Sequence, residues 1–302
     1  MPAKLGSYDL YKFLGEGSMG RVYLAHDPVL ERDVAIKILR DDLNATPKMW
    51  TLLENEAKAA AGITHDNVIH IYTMGKVLGR PYIVMELADY ASLDDMMQNG
   101  PIEETLAVQV AIDVMKGLKA AYQHHLIHGD VKPANILITQ KGRAKVADFG
   151  LARFLKEGQE VERWGTPYYI APEKSAQVSE DFRSDLYSLG ATLYHALTGR
   201  APFEGETGEE VIKKSLKNPT PSLKKTCPGI SPELAELIYI MMQREPDARF
   251  WSYDQAITCF EKLQEGTYRL GMCGKQNKSD RGKGKRRKSL LKKIISLVLD
   301  DP

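Results

Sequence analysis

His128-Gly129-Asp130-Val131-Lys132-Pro133-Ala134-Asn135 decides how the rest of the chain is read. An Asp followed two positions later by Lys and five later by Asn puts a base, a cation and a carbonyl-tipped metal ligand on one tight loop, which Pro133 stiffens. Phosphoryl transfer needs all three: Asp130 to accept a hydroxyl proton, Lys132 to neutralise charge on the moving phosphate, and Asn135 to hold a divalent metal on the nucleotide. An isolated match also fits an ordinary polar turn after a helix, so the flanking sequence decides between the two.

Downstream, Ile136-Leu137-Ile138 and Ala144-Lys145-Val146-Ala147 flank Gln140-Lys141-Gly142-Arg143, a hairpin signature. The hairpin delivers Asp148-Phe149-Gly150. There an Asp at a strand end can ligate a metal, the Phe can anchor in a core, and the Gly lets the chain turn. Upstream, residues 107–124 form a long, mostly apolar helix leading into the loop.

The N-terminal stretch reads as antiparallel strands over residues 10–14, 22–26 and 34–39, with further strands at 68–72 and 82–86. Between the first two strands, Gly15-Glu16-Gly17-Ser18-Met19-Gly20 lets backbone amides approach phosphate oxygens. Because Arg21-Val22-Tyr23-Leu24 continues as strand rather than opening a helix, the glycines form a hairpin lid. Strand alternation sends Ala35 and Lys37 to one face, where Lys37 can reach phosphates under the lid. Thr46 before Pro47 caps a helix running to about residue 61. Glu56 lies on its apolar stripe and is the expected counter-ion of Lys37, whereas Glu54 with Lys58 makes a surface pair. Polar residues after Glu86 mark a boundary near residues 86–91, giving units 1–87, 88–265 and a tail 266–302. The adenine is expected in the crease there, with Met85 as back wall and the Glu86 to Ala88 backbone offering hydrogen bonds.

Composition is that of a soluble globular chain of 302 residues. Cys227, Cys259 and Cys273 lack metal or redox spacing and are expected as reduced thiols. No secretory pattern and no run of about 18 apolar residues is seen, so the expected location is the cytoplasm. Residues 266–302 hold 11 Lys or Arg against 3 Asp, a net of +8, while the remainder holds 30 against 37. Such asymmetry suggests different partners for body and tail.

Together these motifs, over about residues 8–263, resemble eukaryotic-type Ser/Thr protein kinases of the kind also found in bacteria. The resemblance implies an α+β, two-lobed fold: a small antiparallel β-sheet N-lobe with one key helix, and a larger, mainly helical C-lobe. It implies ATP and Mg2+ as the bound groups, and protein substrates bearing Ser or Thr. Asp130, Lys132 and Lys37 would be catalytic. Gly15, Glu16, Gly17, Gly20, Val22, Ala35, Lys37, Glu56, Met85, Glu86, Ala88, Asn135, Leu137 and Asp148 would surround the nucleotide. Asn135 and Asp148 would hold magnesium, and Thr166, in Gly165-Thr166-Pro167-Tyr168-Tyr169-Ile170-Ala171-Pro172-Glu173, would meet the substrate hydroxyl. Glu173 would pair with Arg249, and Asp185 would brace the catalytic loop.

Two departures stand out. Gly129 occupies the position where regulated members of the family usually carry an Arg that reads a phosphate on the activation segment, and residues 151–165 contain no Ser, Thr or Tyr. Both halves of that electrostatic switch are absent, so activity is expected without phosphorylation of residues 151–165. His-Gly-Asp also resembles small-molecule kinases of the aminoglycoside and choline type, which are not expected to show Lys132 or the Gly165 to Glu173 run. An inactive nucleotide-binding scaffold is the third reading, although Lys37, Asp130, Asn135 and Asp148 are all present. In the tail, Leu290, Leu291, Ile294, Leu297 and Val298 fall at helical spacing with Lys292 and Lys293 opposite. This pattern suits an anionic membrane surface or a protein groove, as well as a solvated tail; nucleic acid is not expected, because aromatic residues do not interleave the charges.

Overall fold

The computed structural model describes residues 3–17, 20–39, 57–58, 60–77, 79–88, 91–149, 167–175 and 181–273. Six strands make the upper sheet: β1 (Ala3–Leu5), β2 (Tyr8–Gly17), β3 (Gly20–Asp27), β4 (Arg32–Leu39), β5 (Ile71–Val77) and β6 (Arg80–Glu86). Their order is β1-β2-β3-β4-β6-β5, and every neighbour pair is antiparallel. The register aligns residues from three strand pairs along one side of the sheet: Gly15 faces Val22, Val22 faces Lys37, and Ala35 faces Met85. β2 and β3 form the hairpin that the glycine spacing predicts, since Gly17 pairs with Gly20.

A second, three-stranded sheet joins β7 (Ala91–Ser92), β8 (Ile136–Ile138) and β9 (Ala144–Val146). Below it lie α1 (Leu93–Met97), α2 (Glu104–Gln123), α3 (Pro172–Ser175), α4 (Phe182–Thr198), α5 (Gly208–Lys217), α6 (Leu223–Thr226), α7 (Pro232–Met241) and α8 (Tyr253–Gln264). Local sequence starts and stops these helices. Asp181, Thr207, Ser231 and Ser252 cap α4, α5, α7 and α8 with side-chain oxygens, and Gly199, at φ 71°, ends α4 in the left-handed conformation glycine favours. α2 and α4 form the centre of the lower core. Met115, Leu118, Leu186 and Leu189 are among its fully buried side chains. Burial of apolar side chains at roughly 1.5–3 kcal/mol each supplies most of the drive that holds these helices together.

Three expectations change, and a fourth falls mostly outside the described residues. The strand expected at residues 68–72 begins instead at Ile71. Val68 makes a parallel bridge to Val146, and the Ile69 N–H donates to the Val146 carbonyl at 2.9 Å, so the lower hairpin draws these residues away from the sheet. The helix expected from Thr46, with Glu56 on it, falls mostly outside the described residues; residues 57–58 and 60–61 are helical. The expectation of three reduced thiols holds for Cys227 alone, because Cys259 on α8 is disulfide-bonded to Cys273 with Cα atoms 6.7 Å apart. A 14-residue separation says nothing about pairing until the chain reverses at Gly266 (φ 69°) and Tyr268 buries against the lobe, its hydroxyl donating to Glu236 at 2.8 Å. Within the stretch 266–273, placed in the tail from composition, Tyr268 and Cys273 are therefore tied to the lower lobe, while the residues around them stay exposed.

Gly117 shows how tightly the two lobes are joined. A Cβ at this position in α2 would sit 2.5 Å from the Asn67 carbonyl oxygen, which accepts the Val146 N–H at 2.9 Å. Alanine would gain up to about 1 kcal/mol of helix propensity, but overpacking against immobile backbone costs roughly 1–3 kcal/mol. Gly117→Ala is thus expected to lower the urea-unfolding free energy by about 1–2 kcal/mol. An unchanged or raised midpoint would show that the Asn67 backbone yields freely.

Candidate active site

The loop between α2 and β8 is built around buried His128. Its backbone N–H and that of Gly129 donate to the two carboxylate oxygens of Asp185, at 2.9 and 2.8 Å. The His128 Nδ1 accepts the Asp130 N–H at 3.1 Å, which assigns the ring proton to Nε2, 2.8 Å from the Ala147 carbonyl. The ring also lies edge-on to Phe149, with centroids 4.7 Å apart. One imidazole thereby links the loop to the strand end that carries Asp148. Gly129 has φ 71°, a conformation that costs glycine nothing and most other residues about a kilocalorie per mole or more. Burial pushes the Asp185 carboxyl up from the ordinary range, against the pull of His128, the two amides and Lys174.

Asp130 emerges from this frame at the mouth of the cleft. Its Oδ2 accepts from the Lys132 ammonium at 2.7 Å and the Asn135 amide at 3.1 Å. Asn135 also donates to the Asp130 carbonyl at 2.8 Å, spending its NH2 group on the loop and leaving its carbonyl oxygen as the acceptor a cation would use. The short 3-10 turn Pro133–Asn135 sets this geometry, and the Asn135 backbone carbonyl takes the Ala147 N–H at 2.9 Å.

Opposite, Lys37 is buried and its ammonium lies 2.7 Å from Asp148 Oδ2. A buried ammonium needs a counter-charge, and Asp148 supplies one. Glu56, the partner expected from sequence, lies outside the described residues, as do Gly150 and Thr166. Burial works against the charged form of Asp148, but Lys37, with smaller help from His128 and Lys132, outweighs it and holds the carboxyl below its usual range. The Ala147 N–H bond to the Asn135 carbonyl and the contact of His128 Nε2 with the Ala147 carbonyl set Asp148, with Lys37 on it, next to the loop that carries Asp130, Lys132 and Asn135. Asp148 has φ 62°, a left-handed conformation uncommon outside glycine.

Beside this polar group lies an apolar cluster. Ala35, Met85, Ile83 and Ala147 form its buried part, and Val22, Ala88 and Leu137 pack against them. The expected adenine-lining residues from β3, β4, β6 and β8 thus share one cluster. The Glu86 N–H is committed to the His70 carbonyl at 2.8 Å, leaving its C=O and the Ala88 backbone as the groups of this segment that a base edge could use. Gly15 and Gly20 sit on the hairpin above, and Glu16 pairs with Arg21 at 3.2 Å across it.

Sequence reasoning missed two side chains here. Lys145 bonds Glu86 Oε1 at 2.6 Å and ties β9 to β6 across the crease. Lys174 donates its ammonium to the Gly129 carbonyl. Alternation along β9, with Ala144 and Val146 buried and Lys145 half-buried, was the available signal for the first; nothing local marks the second.

No group of three or more His, Cys, Asp or Glu among the described residues has metal-holding geometry. Asn135 and Asp148 would offer two oxygen donors to a magnesium ion, a number that suits an ion held by few protein groups rather than by a dedicated protein cage.

The protein kinase domain family matches residues 8–259. The chain is 36% identical over 270 residues to the serine/threonine-protein kinase PknB of Mycolicibacterium smegmatis, covering 86% of this chain and 43% of that protein. It is 34% identical over 249 residues to the serine/threonine-protein kinase PrkC of Bacillus subtilis, covering 81% and 38%. The crystal structure of the PknI kinase domain of Mycobacterium tuberculosis superposes with a TM-score of 0.71 at 25% identity, covering 88% of this chain and 98% of that one. The chain thus spans about two-fifths of the length of these curated relatives. The matched span runs from the first residue of the glycine hairpin into α8, enclosing both walls of the cleft and the loop between them. By that match and that architecture, the chain belongs to the protein kinase family.

Proposed function

We propose that this chain transfers the terminal phosphate of ATP to Ser or Thr hydroxyls of protein substrates. The observation that carries the reading is the Lys37–Asp148 pair held, through Ala147, next to the loop on which Asp130, Lys132 and Asn135 are hydrogen-bonded together, with an apolar cluster beside it. Magnesium bound by Asn135 and Asp148 would offset the charge of the phosphates. Lys37, fixed by Asp148, orients phosphate oxygens under the glycine hairpin. Lys132 neutralises charge at the transferred group, and Asp130 takes the proton of the attacking hydroxyl. The names of the relatives, serine/threonine-protein kinases, support a protein acceptor, as does the resemblance carried by Lys132 and Thr166. Gly129 and the absence of Ser, Thr and Tyr from residues 151–165 support activity that needs no phosphate on that stretch. The basic residues 275–302 support contact with an anionic membrane surface or a protein partner from a cytoplasmic location.

With magnesium and labelled ATP, phosphate is expected on Ser or Thr of casein or myelin basic protein, at a rate that phosphatase pretreatment leaves within about twofold. Transfer confined to a panel of small alcohols would establish the small-molecule alternative. ATP binding with no turnover on any acceptor would establish a scaffold.

A further inference from the structure

We propose that Lys174 is a positioning residue for the catalytic base, holding the Gly129–Asp130 peptide in place of a phosphate-dependent brace. The inference rests on the phosphoryl-transfer reading.

The peptide unit joining residues 129 and 130 has one acceptor, the Gly129 carbonyl, and one donor, the Asp130 N–H, locked in a plane by resonance. The donor end is held by His128 Nδ1 at 3.1 Å. The acceptor end is held by the Lys174 ammonium. A plane gripped at both edges cannot rotate about its Cα–Cα axis, and the Asp130 side chain springs from one end of that axis. The preceding peptide is gripped too, since the Gly129 N–H reaches Asp185 Oδ1 at 2.8 Å. Gly129, free of a Cβ and at φ 71°, would otherwise be the most pliant point of the loop.

Lys174 is suited to the task because the residue before it is anchored. It belongs to α3, whose preceding residue, Glu173, is buried and bonded to both terminal nitrogens of Arg249 at 2.7 Å. The brace therefore runs from Arg249 through Glu173 and Lys174 to Gly129 and so to Asp130. None of these contacts requires a phosphate. An Arg at position 129 would serve a phosphorylated segment from the loop side; here a Lys from the α3 side reaches the loop backbone without it.

The test compares the full chain with Lys174→Met and Lys174→Arg on a protein acceptor, measuring kcat, KM for ATP, ATP affinity by titration calorimetry, and the unfolding midpoint. A displacement of about 1 Å at a reacting group costs up to about 100-fold. For Lys174→Met, kcat is expected to fall about 10- to 100-fold, with KM for ATP and ATP affinity within about twofold of wild type. Lys174→Arg, which keeps a charged donor, is expected to recover most of the loss. Wild-type kcat in Lys174→Met would overturn the inference, and so would a loss of ATP affinity and midpoint in parallel with kcat that Lys174→Arg does not relieve. Absence of turnover in the wild-type chain itself would instead overturn the phosphoryl-transfer reading, and this inference with it.

Discussion

Asp130→Asn is expected to lower kcat by about 1,000-fold, since a positioned general base contributes roughly 10²- to 10⁴-fold, and to leave the dissociation constant for magnesium ATP within about twofold. The substitution is nearly isosteric, so the loop keeps its shape. Asn retains an oxygen that can take the Lys132 contact now made at 2.7 Å, while His128, Asp185 and Lys174 hold the backbone on either side independently of the side chain. What is lost is the capacity to take a proton. The proposed nucleotide contacts lie elsewhere, on Lys37, Asp148 and the apolar cluster, which is why binding and turnover should separate. Quench-flow with labelled ATP and a protein acceptor, beside calorimetric titration of ATP, measures both. A fall of less than about tenfold would remove Asp130 from the role of base and leave it a partner of Lys132.

That separation depends on two groups of residues with different visibility in the sequence. The loop from His128 to Asn135 was legible because its chemistry is local: the base, the cation and the amide lie within six residues, and the structure keeps Asp130 within hydrogen-bond reach of both Lys132 and Asn135. The glycine hairpin was legible for the same reason, through strand signals on both sides of the turn. Long-range partnerships were less so. Lys37 meets Asp148 across 111 positions, whereas the counter-charge read from the sequence was Glu56, which lies outside the described residues. Lys174 reaches Gly129 from 45 residues away, and a lysine after Glu173 carries no periodic or motif signal. The Cys259 and Cys273 pair depends on a reversal at Gly266 that spacing does not encode. Val68 and Ile69 read as strand because they are β-branched and apolar, which is true of residues bridging to β9 as much as of residues in the upper sheet.

The largest effect on stability is expected from Arg249→Met, about 3–5 kcal/mol, because it strands a buried carboxylate. Arg249 and Glu173 are 0% and 3% exposed at their side chains. All five guanidinium N–H groups are used: two on Glu173, one each on the carbonyls of Gln243, Arg183 and Arg244. Ser184 completes the carboxylate with a hydroxyl at 2.7 Å. Burial raises the Glu173 pKa, but the charge and hydrogen bonds of Arg249, with that of Ser184, outweigh it, and the net direction is downward. A carboxyl held below its unfolded value stabilises the fold above about pH 4.3 and loses that contribution as pH falls through the folded value. Without Arg249, burial is opposed only by the hydrogen bonds from Ser184 and from the backbone of Glu173, the direction is expected to reverse, and the variant should gain stability as the carboxyl protonates. The wild-type advantage in urea unfolding should therefore shrink between pH 7 and about pH 4.5, close to the ordinary carboxylate value. Glu173→Met combined with Arg249→Met should recover part of the loss at pH 7, since replacing both members of a buried pair is far less costly than orphaning one. A single variant that matches wild type at pH 7, or a difference that does not change with pH, would mean that Glu173 finds another partner or water. Because Lys174 stands on the same short helix, the double variant also separates anchorage from charge: a chain that unfolds near the wild-type midpoint but turns over slowly would show that the pair's second task is to keep that lysine on the catalytic loop.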